Sequence, residues 1–90
     1  MLVSLIAKDK PNSLNLRMEN RPAHVDYLKS SAAVQMAGPF IGEDGDMCGS
    51  LIVLEVEDMA QAQEWAAGDP YGKAGLFASV ELIEWNKVIG

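Results

Sequence analysis

Ninety residues carrying 13 Asp and Glu against 7 Lys and Arg, a net charge of -6, make one small acidic domain over 1–90. With no basic run to displace counterions from phosphates, such a chain is excluded as a nucleic-acid binder, and anionic membrane surfaces are disfavoured for the same reason. At 49% hydrophobic residues the composition is globular. A chain this short buries only about 60–65% of its unfolded surface, which makes a second subunit a natural source of further burial.

The chain opens with an apolar, β-rich run over 2–8, closed by the turn cluster Lys8-Asp9-Lys10-Pro11-Asn12. The run is too short for a signal peptide or a membrane span, and the expectation is a soluble cytoplasmic protein. From Ser13 to Ser31 the period is helical, with an apolar stripe of Leu14, Met18, Val25, Leu28 and Ala32 expected to be buried. Pro22 interrupts this stretch, so either the helix kinks or a second one starts with proline in its first turn.

Residues 33–40 make a short strand ending at Gly38-Pro39, and an acidic Gly-rich loop spans 42–49. Asp44 and Asp46 lack the downstream glutamate of a calcium loop, so an exposed turn is expected. Residues 50–57 are the clearest strand. Asp58 to Gly68 reads as a helix with Asp58 and Gln61 as a capping box and Gly68 at the left-handed C′ position. Met59, Ala62, Trp65 and Ala66 supply its buried face. Pro70 then stops the helix and holds Asp69 extended, and residues 76–85 form the last strand.

The order βαββαβ is the ferredoxin-like α+β plan, a four-stranded antiparallel sheet with two helices on one face. In the strands, Val3, Leu5 and Ala7 alternate with Leu2, Ser4 and Ile6, and Leu51 and Val53 with Ile52, Leu54 and Val56. Both faces are therefore apolar. The bare one needs a cover that this chain cannot supply, so a homodimer packed sheet against sheet is expected.

Chemistry concentrates in one place. The only histidine, His24, and the only two arginines, Arg17 and Arg21, fall within eight residues on one helical arc. Two guanidinium donors beside an imidazole suit a small anion and a proton transfer. Asp69, at the exit of the second helix, is the natural partner to orient His24, although an Asp before Pro also starts turns by bonding nearby backbone. Ser50 and Tyr71 are further hydrogen-bonders at loop edges, and Trp65 and Trp85 suit core and interface. Cys48 is alone, which excludes an internal disulfide, and its acidic surroundings are not those of a nucleophilic thiol. One His and one Cys cannot build a structural zinc site, and no nucleotide fingerprint is present, so no metal or cofactor is expected.

The string Arg17-x3-Arg21-Pro22-x-His24-x2-Tyr27-Leu28, with Ala37-Gly38-Pro39, Gly49-Ser50, Asp69-Pro70-Tyr71 and Gly75-Leu76-Phe77, resembles the YciI-like (YCII-related) proteins nearly end to end. The departures are a short loop before Gly49 and no glycine in Ser30-Ser31-Ala32-Ala33. The resemblance implies a dimeric α+β barrel similar to muconolactone isomerases. It also implies a His-Asp active site, carried here by His24 and Asp69, with Arg17, Arg21 and Ser50 nearby; one type of relative is a dehydrochlorinase of chlorinated hydroxyquinols. The leading expectation is a cofactor-free enzyme performing isomerisation or elimination on a small anionic or phenolic metabolite. The alternative is a non-catalytic dimeric module that binds a small molecule or a protein partner in the same pocket.

Overall fold

In the computed structural model, which describes residues 1–90, the alternating apolar residues set the architecture. Val3, Leu5 and Ala7 point to one side of strand β1 (Leu2–Asp9). They meet Leu54, Ile52 and Ser50 across the antiparallel register with strand β3 (Met47–Glu55). Helix α1 (Leu14–Ser30) follows β1, and strand β2 (Val34–Ile41) pairs with β3 through the hairpin turn at 42–46. Helix α2 (Met59–Gly68), a single turn α3 (Pro70–Lys73) and strand β4 (Phe77–Trp85) complete the chain. The sheet order β2-β3-β1-β4, antiparallel throughout, is ferredoxin-like as expected.

Both long helices cover the same sheet face. Ala62 and Trp65 of α2 join Val3, Leu5, Ala7, Ile52, Leu54 and Val56 in the core, with Tyr27 and Leu28 of α1 packed against it. Each fully buried Leu, Ile or Val contributes about 1.5–3 kcal/mol. The other face carries Met36, Phe40, Ile83 and Trp85, all exposed. No helix is long and apolar enough to cross a membrane.

Four local expectations are corrected. Of the two alternatives at Pro22, the second helix is overturned, because α1 continues from Leu14 to Ser30 with Pro22 inside it. Pro22 and Met18 both lie on the solvent side, where water can serve the carbonyl that proline leaves unpaired. Met18 is 47% exposed and Ala32 is also exposed, so the apolar stripe is not the buried line. That line runs through Arg17 and His24, two turns apart, and Met18 lies about 100° around from Arg17. The loop expected over 42–49 is shorter, because β3 already starts at Met47. Met47 pairs with Ile41 and Gly49 with Phe40 and Lys8, and Cys48 is the unpaired residue where the register shifts.

Gly68, finally, is not in the left-handed region but inside α2. A Cβ at Gly68 would overlap the Tyr27 hydroxyl, which donates to the Trp65 carbonyl at 2.8 Å. Close approach of α1 to the end of α2, not backbone conformation, is what glycine serves there. At the other end of α2 the capping expectation holds in a shifted form. Asp58 Oδ1 accepts from Gln61 N–H, while Gln61 Oε1 accepts from Glu57 N–H, one residue before the cap.

Candidate active site

The approach of α1 to the end of α2 brings His24 to Asp69. His24 Nδ1 lies 2.7 Å from Asp69 Oδ1, and both residues are buried, at 6% and 1% exposure. Oδ1 also accepts the Tyr71 backbone N–H at 3.0 Å. This is the turn-starting role expected of an Asp before Pro, and it coexists with the pairing. An oxygen already accepting one N–H offers a lone pair to the imidazole, so Nδ1 is the donor and carries the ring proton. No other hydrogen bond engages the ring, and His24 lines a cavity of about 150 Å³. Nε2 is therefore the atom left for a ligand: a base in the neutral ring, an acid in the imidazolium. The second carboxylate oxygen, Asp69 Oδ2, is buried without a partner.

Tyr71 organises the centre. Its ring stacks on His24 with centroids 3.8 Å apart and planes 16° from parallel. The Arg17 guanidinium lies 4.6 Å from the same centroid. Arg17 and His24 leave α1 about 10.5 Å apart along its axis, and the phenol ring is wedged between them. Burial raises the Tyr71 pKa above its usual 10.0, against the opposing pull of Arg17 and Arg21, so the phenol stays a neutral donor.

Arg17 is held by a residue outside the expected set. Its Nε and Nη2 donate to Asp9 Oδ2 and Oδ1 at 2.7 and 3.0 Å, and Nη2 also donates to Ser50 Oγ at 2.9 Å. Burial works against the guanidinium charge, but the bonds and charge of Asp9 outweigh it and raise the Arg17 pKa. The cluster Lys8-Asp9-Lys10 reads as a strand-ending turn, yet β1 continues to Asp9. The signal was present in the alternation itself, since Val3, Leu5, Ala7 and Asp9 are every second residue of one strand. Exposed Arg21 lines the cavity without an ion pair, so it is the uncompensated cation at the mouth. Thus His24, Arg17, Arg21, Ser50 and Tyr71 line one cavity, and Asp69 stands behind His24. No cluster of His, Cys, Asp and Glu suited to a metal ion is formed.

The profile of the YCII-related domain matches residues 1–86. The chain belongs to the YCII-related domain family. Among its relatives, Protein YciI of Escherichia coli O6:H1 is 34% identical over 97 residues, covering 98% of this chain and 99% of that protein. A solved structure of 5-chloro-2-hydroxyhydroquinone dehydrochlorinase (TftG) from Burkholderia phenoliruptrix AC1100, in complex with 2,5-dihydroxybenzoquinone, is 37% identical. It superposes with a TM-score of 0.88 and covers 96% of this chain and 94% of the other. Rv0793 from Mycobacterium tuberculosis shares the fold alone, with a TM-score of 0.65 at 10% identity over 99% and 100% of the two chains.

Proposed function

We propose that this member of the family is a small cofactor-free enzyme that uses the His24–Asp69 pair for acid–base chemistry on a small, anionic, hydroxylated ring. The observation that carries the reading is the 2.7 Å Nδ1–Oδ1 contact behind an imidazole that faces a ring-sized cavity. About 150 Å³ is the scale of an engineered cavity that holds one benzene ring. In this reading His24 Nε2 takes a proton from a ring hydroxyl or an adjacent carbon, and the freed electron pair forms a new π bond. In an elimination from an aromatic ring, that proton first returns to the halogen-bearing carbon. A second hydroxyl then gives its proton to Nε2, the halide departs with the electrons of its bond, and the proton passes from Nε2 to water. In an isomerisation, the proton returns to another carbon. Arg21 supplies the charge that meets the anion, and Arg17 and Ser50 hold a ring oxygen. TftG, a dehydrochlorinase with a dihydroxybenzoquinone bound, supports the substrate class.

The exposed apolar face of Met36, Phe40, Ile83 and Trp85 supports assembly of two copies sheet to sheet, the association expected from the alternating strands. A cytoplasmic setting suits the single unpaired thiol of Cys48. The test is turnover of chlorinated hydroxyquinols followed by chloride release. His24→Gln is expected to abolish release while leaving affinity for 2,5-dihydroxybenzoquinone within a few-fold of the parent. A variant that retains turnover removes the acid–base role. Loss of affinity in Arg21→Ala, with no chloride release by any form, identifies a binding module instead.

A further inference from the structure

The mechanism above leaves one buried group unused. Asp9 has a side chain only 6% exposed, it does not line the cavity, and its two oxygens are both committed to Arg17. Arg17 in turn spends Nε and Nη2 on Asp9 and directs a further Nη2 bond to Ser50 Oγ. A guanidinium has no acceptor, so the Ser50 hydroxyl must accept from Arg17, and its own proton points elsewhere. Ser50 donates to nothing within the chain, is 2% exposed, and forms part of the cavity wall. Its sheet neighbours, Ala7 on β1 and Pro39 on β2, have no polar side chains to receive that proton. A buried hydroxyl proton without an acceptor is costly, and a ligand oxygen in the cavity relieves the cost. Accepting a charged donor also polarises the hydroxyl and makes it a stronger donor.

We propose that Asp9 is a positioning residue which, by locking the Arg17 fork, sets Ser50 as the hydrogen-bond donor to the anionic oxygen of the ligand. The assignment rests on the reading of the cavity as a site for an anionic ring, and it divides the anion's recognition in two. Arg21 supplies mobile charge at the mouth, while Ser50 supplies an oriented proton at the wall. Asp9 acts without touching the ligand.

The experiment measures the dissociation constant of 2,5-dihydroxybenzoquinone for Ser50→Ala, Asp9→Asn and the double variant. Each single change is expected to weaken binding on the order of tenfold, the loss typical of one hydrogen bond to a charged group. The double variant is expected to be no weaker than either single one, because both remove the same donor. Additive losses, about a hundredfold together, or an Asp9→Asn protein that binds like the parent, overturn the proposal. Arg17→Lys keeps a cation beside Asp9 but lacks the planar fork that reaches Asp9 and Ser50 together. In that background Ser50→Ala is expected to change binding less than about threefold, and a full tenfold effect there overturns the proposal even if Asp9→Asn fails to fold.

If the parent protein does not bind the quinone at millimolar concentration, the ring-anion reading falls. The relay is then decided by the Arg17 Nε–H resonance alone. It is expected to exchange slowly in the parent and in Ser50→Ala and to be lost in Asp9→Asn; a resonance indifferent to Asp9→Asn refutes the positioning role.

Discussion

Replacing Gly68 by alanine sets two well-measured effects against each other. Gly68 has helical geometry inside α2, so alanine alone would gain about 0.8–1 kcal/mol of helix propensity. The added Cβ, however, would overlap the Tyr27 hydroxyl and crowd its Cζ at 3.1 Å. The phenol has little freedom to retreat. Its ring packs against Trp65 with centroids 4.8 Å apart, and its hydroxyl is bonded to the Trp65 carbonyl. Overpacking costs about 1–3 kcal/mol, and the lost hydrogen bond about 1 kcal/mol. The clash wins, and Gly68→Ala is expected to destabilise by about 1–3 kcal/mol in urea denaturation. The melting point falls about 4–8 °C for each kcal/mol. In Tyr27→Phe, which removes the overlapping oxygen, the same Gly68→Ala change is expected to cost less than about 0.5 kcal/mol or to stabilise. A Gly68→Ala protein more stable than the parent would refute the argument. Because the same contact draws α1 onto the end of α2, the substitution is also expected to impair any turnover that depends on His24 and Asp69.

The chain has only two tyrosines, Tyr27 and Tyr71, and burial is the main cause that raises the pKa of each above 10.0 in the folded state. Above that pH the folded chain binds more protons than the unfolded one, so stability is full below about pH 10 and falls as pH rises beyond it. Tyrosinate absorbance and circular dichroism are therefore expected to change together; phenolates formed in a chain that is still native contradict it. Removing Asp9 with Asp9→Ala leaves the buried Arg17 charge unpaired and is expected to cost about 3–5 kcal/mol in urea denaturation. A loss below about 1 kcal/mol, the range of exposed ion pairs, rules out a buried pair. Ile83→Glu together with Met36→Glu, both on the exposed sheet face, is expected to leave circular dichroism unchanged but convert a sedimenting dimer to monomer. A parent protein that already sediments as a monomer removes the dimer from the proposed function.

The sheet was legible because period-two apolar runs such as Val3-Leu5-Ala7 and Ile52-Leu54-Val56 fit only a strand with one face on a core. Helix α2 was legible for a similar reason: Asp58 and Gln61 cap it, and Ala62 and Trp65 share its buried face. What local pattern did not reveal are the places where a distant element decides. Pro22 allowed either a kink or a fresh helix start, and whether a helix continues through proline depends on whether water reaches the freed carbonyl. Gly68 looked like a C′ glycine because the Tyr27 hydroxyl that needs the space is 41 residues away. The apolar stripe misled for a related reason. Arg17 and His24 are buried because Asp9 and Asp69 neutralise or bond them, and hydropathy assigns no value to such partners. Asp9 itself was hidden by its charged neighbours Lys8 and Lys10, since a strand's last residue resembles a turn when read by composition.

Both carboxylates of the site stand behind a basic side chain, Asp9 behind Arg17 and Asp69 behind His24, so the cavity wall itself presents donors. On the proposed function, a chain of net charge -6 would thus repel an anionic ring at long range and attract it only at the cavity. The two regimes separate at the Debye length, about 8 Å at physiological ionic strength. Added salt screens the distant repulsion more than the contact with Arg21 and Ser50. Capture of an anionic ring should therefore quicken as ionic strength rises, the reverse of ordinary electrostatic steering.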